Sequence, residues 1–291
     1  MLPYYIALPF IYLLSILPFR VLYLLSDVFF VFIYYILGYR RKIVLTNLKN
    51  SFPGKSSSEI KKIEKDYYRF LCDLFLETFK TLTVTRETML KHCSMSVEAQ
   101  ALFQSFAAEN KSVIIVMGHK GNWEWAGNTF SLLCKHQLYV IYHPLRNPYF
   151  NKLMIKMRTR FGTKLIPMKD TFREMVQNRD NLNATAFIAD QTPSPEKAHW
   201  MTFLNQDTPV FTGTEKIGQK MNYPIVYVSI QKIKRGYYTL HADVLMEPPY
   251  KTLEEGTMTA AHTKRLESDI TDQPETWLWS HRRWKHKRPA F

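Results

Sequence analysis

The sequence predicts an α/β fold, a mainly parallel central sheet flanked by helices, with an N-terminal apolar helical membrane anchor. Strand-like and helix-like stretches trade places through the middle of the chain. Residues 3–38 carry only Arg20 and Asp27 among apolar and aromatic side chains. One strand-to-helix corner, residues 118–124, collects glycines, a histidine and a glutamate. Residues 1–42 read as the anchor with its basic flank. Residues 43–291 read as one domain, since no internal repeat, low-complexity tract or linker divides them.

Pro18 splits the apolar start into arms 4–17 and 21–37, because proline in a helix interior removes a hydrogen bond and kinks the chain. The second arm would be about 25 Å long, slightly short of a hydrocarbon core, and Asp27 would cost a few kcal/mol at mid-bilayer. A bent helical pair lying at the interface is the rival geometry. There Tyr4, Tyr5, Tyr12, Tyr23, Tyr34 and Tyr35 suit the headgroup boundary. Either geometry puts the protein on a membrane. Arg40, Arg41 and Lys42 follow at once, and by the positive-inside rule they hold that end on the cytoplasmic face. A cleavable signal peptide is disfavoured, because the start has neither a basic region nor a small-residue cleavage site.

Hydrophobic residues make up 46% of 291, enough for a sizeable core. A formal net charge of +14 asks for an anionic partner, and the apolar start favours a membrane surface over nucleic acid. Cys72, Cys93 and Cys134 form no CxxC and suit core packing in a reducing compartment. The histidines show no metal-ligand spacing, so no metal is expected.

After a Ser, Pro and Gly-rich loop at 50–58, residues 59–81 form an amphipathic helical pattern. Ile60, Ile63, Tyr67, Phe70, Leu71 and Leu74 recur at three- and four-residue steps, and Ser57 or Ser58 is the candidate cap. Strands are expected at 112–117, 138–142, 185–189 and 223–231, and helices at 123–133, 149–160 and 214–220. Ligand groups in such a sheet gather at the strands' carboxyl ends.

Residues 113–127 read V-I-I-V-M-G-H-K-G-N-W-E-W-A-G. A hydrophobic strand runs into Gly118, His119 stands at its end, and Lys120, Gly121 and Asn122 turn the chain into a helix containing Glu124. On a continuous helix, a five-residue separation would splay His119 and Glu124 by roughly 140°. Across a turn they can meet. Glu124 would then accept a bond from one imidazole nitrogen while the other removes a proton from a hydroxyl, with no protein nucleophile. Backbone N–H groups of Gly118, Gly121 and Asn122 offer donors for an oxyanion. The same spacing also fits an ordinary structural pair.

The string Gly118-His119-Lys120-Gly121-Asn122-Trp123-Glu124 resembles the His-x4-Asp/Glu motif of the lipid A biosynthesis acyltransferases, the late lauroyl or myristoyl transferases. Further stretches resemble the same family in the same order: Gly38-Tyr39-Arg40-Arg41 with Asn47-Leu48, Tyr142-His143-Pro144-Leu145-Arg146-Asn147, Ala189-Asp190-Gln191, and Pro274 through Lys285 with its His281-Arg282-Arg283 run. One loop departs. Relatives usually show Phe-Phe-Gly followed by Ala and Thr, where this chain has Phe203-Leu204-Asn205 and Thr208-Pro209, so that loop's role does not carry over.

The resemblance implies a glycerolipid-acyltransferase-like fold and a single acyltransferase catalytic domain at 43–291. A fatty acyl group would pass from an acyl carrier protein or coenzyme A thioester to a hydroxyl of a lipid A precursor, with no cofactor. It makes His119 the general base and Glu124 its partner. Arg146 would hold phosphate or carbonyl oxygens, a task that suits a guanidinium. Asn147, Asp190, Gln191, Arg282 and Arg283 are the other substrate-binding candidates. The enzyme would sit at the bacterial inner membrane with this domain on the cytoplasmic face. Another acceptor, a lysophospholipid, glycolipid or aminolipid, stays open, because glycerolipid acyltransferases share the motif type. A non-enzymatic basic membrane-surface protein is the alternative of another class, although the charge is spread widely and not clustered. Arg282, Arg283, Lys285, Lys287 and Arg288 form either a solvated tail or a headgroup contact; Trp277, Trp279 and Trp284 favour the latter somewhat, with core packing open.

Overall fold

The computed structural model describes residues 2–289. The apolar start forms α1 (Leu2–Ile16) and α2 (Phe19–Val31), with the break at Pro18, which sits at the amino end of α2 in an extended conformation. A π-helical turn, Phe32–Leu37, prolongs α2 and stops at Gly38 in the left-handed region. Then come α3 (Arg41–Ser51) and α4 (Ser57–Lys80). Ser56, one residue before the expected caps, closes a capping box with Glu59: its N–H donates to Glu59 Oε2 at 2.8 Å, and its Oγ accepts from Glu59 N at 3.3 Å.

The body continues through α5 (Arg86–His92), β1 (Cys93–Met95), α6 (Val97–Ala108), β2 (Val113–Met117), α7 (Trp123–Leu133), β3 (Gln137–Tyr142), α8 (Pro148–Arg158), β4 (Lys164–Pro167), α9 (Thr171–Gln177) and β5 (Asn183–Ile188). After the hairpin β6 (His199–Phe203) and β7 (Gln206–Val210) follow α10 (Gly213–Met221), β8 (Ile225–Lys234), β9 (Tyr237–Met246) and α11 (Thr257–Asp272). Seven strands make one sheet in the order β1-β9-β8-β2-β5-β3-β4. Only β8 and β9, joined by the Arg235-Gly236 turn, pair antiparallel; every other neighbouring pair is parallel and its members are joined through longer connections.

All five residues of β2 are buried, as expected of a central strand covered on both faces. Ile114 and Val116 join the cluster containing Leu266 of α11, Trp277 and Trp279, while Val113, Ile115 and Met117 join Trp125 and Phe130 of α7. Period-two alternation thus divides the core, and each fully buried branched side chain contributes about 1.5–3 kcal/mol. Cys72 and Cys93 are buried and Cys134 half-buried, all as free thiols, in keeping with the packing role.

The apolar start is tied to the body along its length. Leu22, Ser26, Phe30 and Tyr34 form the buried stripe of the α2 segment. Along that stripe Tyr23 Oη donates to Glu77 Oε1 at 2.8 Å, Ser26 Oγ to Asp73 Oδ1 at 2.6 Å, and Tyr34 Oη to Glu64 Oε2 at 3.0 Å, while Arg69 lies 5.0 Å over the Phe30 ring. Partners advance along α2 as they recede along α4, so the helices run antiparallel. Asp27 is not a lone charge: Arg235 bridges it to the buried Asp73, 2.7 Å from each.

Two predictions follow from these bonds. Arg235→Ala strands Asp73 and should cost about 2 kcal/mol or more. Asp27→Asn, at an exposed position, should cost under about 1 kcal/mol, and denaturant unfolding in detergent measures both. Glu77 is fully buried, and burial, reinforced by nearby Asp73, pushes its carboxyl up from 4.5 to about 7. Its contribution to stability is therefore complete below pH 4.5 and lost as pH rises through about 7, so Glu77→Gln should flatten the pH dependence of stability across that window.

Candidate active site

β2 and β5 lie side by side in parallel, with Met117 opposite Ile188. Two residues beyond each stand His119 and Asp190, and the ladder bond from Ala189 N to Met117 O, 3.1 Å, carries the register past the strand ends. Strand register alone therefore brings imidazole and carboxylate abreast. His119 Nδ1 donates to Asp190 Oδ1 at 2.6 Å. Asp190 Oδ2 accepts from the His119 backbone N–H at 2.7 Å and from Trp277 Nε1 at 2.8 Å.

Burial alone would raise the Asp190 carboxyl, but the adjacent His119 and the hydrogen bonds from His119 and Trp277 outweigh it and hold the group at about 2. Asp190 is thus ionised at neutral pH. A carboxylate on Nδ1 selects the tautomer with the proton there and leaves Nε2 as an acceptor. Nε2 accepts from the Gln191 side-chain amide at 3.3 Å, and the His119 side chain keeps 16% exposure.

The corner admits little but glycine at two places. A Cβ on Gly118 would sit 2.6 Å from Leu266 Cδ1 and 3.1 Å from Asp190 Oδ2. Gly121 has φ +63°, and its Cβ would meet Ile230 Cγ2 at 2.6 Å. Asn122 caps α7 by accepting from Trp125 N at 2.9 Å and donates to Glu77 Oε2 at 2.8 Å. Of the backbone donors expected to serve an oxyanion, Gly118, Gly121 and Asn122, Gly121 N–H is committed to Thr276 O at 2.9 Å.

The expected bond between His119 and Glu124 does not form. Glu124 stands in the first turn of α7, as expected, but projects toward α8, while the His119 Nδ1 is taken by Asp190. There it forms a two-pronged pair with Arg158, Nε to Oε2 at 2.8 Å and Nη2 to Oε1 at 2.5 Å. Asp190, first read as a substrate ligand, takes the place assigned to Glu124. A signal for it existed: Asp190 follows its apolar strand at the same offset as His119 follows β2.

The segment carrying Trp277 to Arg283 folds over the corner. Trp277 and Trp279 are buried and not at a membrane boundary; Trp277 serves Asp190. Asn47 Nδ2 donates to Trp279 O and His281 O at 2.9 and 3.1 Å, and Arg40 Nη1 donates to Ser280 O at 3.0 Å, so stretches far apart in sequence meet here. Arg283, expected to bind substrate, is 1% exposed and donates to Pro209 O at 2.8 Å; burial pushes its guanidinium down to about 10. Burial likewise holds His281 down to about 4, so it is neutral. Arg282 is exposed.

Arg146 lies beyond the carboxyl end of β3, the strand beside β5, exposed and with no side-chain hydrogen bond or ion pair among the described residues. Asn147 instead caps α8, accepting from Tyr149 N at 3.0 Å and Phe150 N at 3.3 Å. In the departing loop, Leu204 and Asn205 both have positive φ, the geometry of a two-residue hairpin turn.

Comparison with known proteins agrees with this architecture. The family model described as bacterial lipid A biosynthesis acyltransferase matches residues 1–286. A lipid A biosynthesis palmitoleoyltransferase of Escherichia coli (strain K12) is 25% identical over 248 residues, 84% of this chain and 79% of that protein. A lipid A biosynthesis acyltransferase of Shigella flexneri matches to the same extent, and lipid A biosynthesis acyltransferase 2 of Shigella flexneri is 19% identical over 250 residues, 82% of this chain and 76% of its own. With a match that runs from the apolar start through the segment closing over His119, the chain belongs to the bacterial lipid A biosynthesis acyltransferase family and is an enzyme of acyl transfer.

Proposed function

We propose that the enzyme moves a fatty acyl group from an acyl carrier protein or coenzyme A thioester to a hydroxyl of a lipid A precursor, with His119 as general base and Asp190 as its partner. The 2.6 Å bond between His119 Nδ1 and Asp190 Oδ1, which leaves Nε2 as the basic nitrogen, carries this reading. The acceptor hydroxyl takes the place beside Nε2 and loses its proton to it. Its oxygen attacks the thioester carbonyl. Collapse of the tetrahedral intermediate forms the ester, breaks the C–S bond and returns the proton from imidazolium to the leaving thiolate. Asp190 stabilises the imidazolium between these transfers, and the Gln191 amide is within reach to donate to the oxyanion.

Glu124 keeps a part in catalysis through Arg158: the pair ties the first turn of α7 to the end of α8 and so orients the corner. Arg146, free and exposed, is the residue proposed to meet the acceptor's phosphate, with Arg282 as a second exposed cation. The bacterial cytoplasmic membrane, with the site on its cytoplasmic face, is where such an acceptor and donor meet.

His119→Ala should lower kcat at least about a hundredfold with the protein still folded. Asp190→Asn should fall comparably, and the double variant no further, because the two act as one unit. Independent, multiplying losses in steady-state assays would show that Asp190 is not the partner. Glu124→Gln should slow kcat with little change in KM, and its effect should not add to that of Arg158→Gln. Arg146→Lys should raise KM for a phosphorylated acceptor more than it lowers kcat, and a dephosphorylated acceptor should erase the difference.

A further inference from the structure

The surface of the α2 segment opposite α4 is an apolar stripe. Val21, Leu24, Val28 and Val31 recur at three- and four-residue steps and are 41%, 65%, 61% and 49% exposed. Ile6, Phe10, Leu13 and Ile16 of α1 are each more than half exposed. The opposite stripe is bonded to α4 at every turn from Leu17, whose carbonyl takes Lys80 Nζ at 2.6 Å, to Tyr34, bonded to Glu64. The register continues at Tyr35, where Lys65 lies 5.9 Å over the ring.

That ladder bears on how the segment meets a membrane. By length and composition Phe19–Leu37 could cross a bilayer. If it did, α4 would have to accompany it into the hydrocarbon with Lys61, Lys62, Lys65, Asp66, Arg69 and Asp73, and the Arg235 turn, bound to Asp27 and Asp73, would follow. Leaving α4 outside would require breaking each of the polar bonds along the inner stripe. A helix with one apolar stripe outward and a polar stripe bound to the body instead suits burial along its length in the headgroup and acyl boundary. Charge at its margins agrees: Arg20 precedes the stripe, Arg40 and Lys42 follow it, and all three are exposed.

We propose that α1 and the α2 segment lie flat on one face of an anionic bilayer as an in-plane anchor, with the outer stripe among the acyl chains and α4 on the water side. The inference is independent of the acyl-transfer chemistry. It has a consequence for it, though: Tyr23 on the embedded segment binds Glu77, and Glu77 binds Asn122 in the turn after His119, so the catalytic corner is held at a fixed height above the lipid. At the other arm, Tyr4 packs on Tyr149 and Phe150, beside Arg146.

The test is a depth profile on the full chain. p-Acetylphenylalanine is placed singly at Val21, Leu24, Val28 and Val31 and spin-labelled through its ketone, leaving the native thiols untouched. Accessibility to oxygen and to a water-soluble nickel chelate is then read on vesicles of phosphatidylethanolamine and phosphatidylglycerol. An in-plane anchor gives one shallow depth at all four positions. A profile shallow at the ends and deepest near Val28 overturns the proposal in favour of a span. Water exposure at all four, or occlusion in a dimer that ignores vesicles, overturns it as well. Leu24→Glu, at an exposed position, should lower sedimentation with these vesicles at high salt at least about tenfold, and unchanged sedimentation would also count against it. No readout involves turnover, so the outcome stands whether or not the proposed chemistry does.

Discussion

The arrangement depends on a single buried carboxylate. Glu77 Oε1 accepts from Tyr23 of α2 at 2.8 Å, and Oε2 accepts from Asn122 before α7 at 2.8 Å and from Tyr238 of β9 at 2.9 Å. Its main-chain carbonyl accepts from Trp125 Nε1 at 2.9 Å. The apolar arm, the sheet and the helix that follows His119 therefore share one acceptor group. With no exposure to water, that group is tolerable only because donors meet both oxygens. Shifting any one element would orphan polar atoms in the others, so the turn after His119 inherits its position from a contact outside the sheet.

The second constraint is register. A parallel pair in which Met117 faces Ile188 fixes where the next residues can go, and His119 and Asp190 occupy equivalent places past the strand ends. Gly118 then has no room for a side chain, because the space a Cβ would take belongs to Leu266 and the Asp190 carboxylate. Trp277 completes the shell by giving Asp190 its third donor. An ionised carboxylate with three donors is a fixed negative charge, and it does not have to reorganise when the imidazole gains a proton.

Periodicity made most central elements legible. The runs at 112–117, 138–142 and 185–189 became β2, β3 and β5 within two residues, and residues 123–133 became α7. Short or alternating strands such as β4, with four residues, carried too weak a pattern. The corner could be read because a glycine-flanked histidine at a strand end is a local signal. The carboxylate bonded to it carried only a weaker signal, its equal offset past an apolar strand, because the contact itself is fixed by pairing between strands 71 residues apart. The pairing of Glu124 was not legible either, because Arg158, which takes both its oxygens, is 34 residues away. The ion pair of Asp27 was not legible because Arg235 is 208 residues away.

The stretches that carry the family resemblance but lie outside the corner owe their meaning to one closing contact. Arg40 and Asn47 reach Ser280, Trp279 and His281 across 240, 232 and 234 residues. Ser280 N–H in turn donates to Tyr67 Oη of α4 at 3.0 Å. Closing loops of this length costs chain entropy, which the several bonds of the segment share. The same segment carries the bond from Trp277 to Asp190 and the Thr276 carbonyl that accepts from Gly121 N–H. Arg283, Trp277 and Trp279 are therefore better explained as parts of a clasp than as a tail that meets lipid. Burial of Arg283 and Trp279 is what that clasp requires, whereas a solvated run or a headgroup contact would have left both exposed.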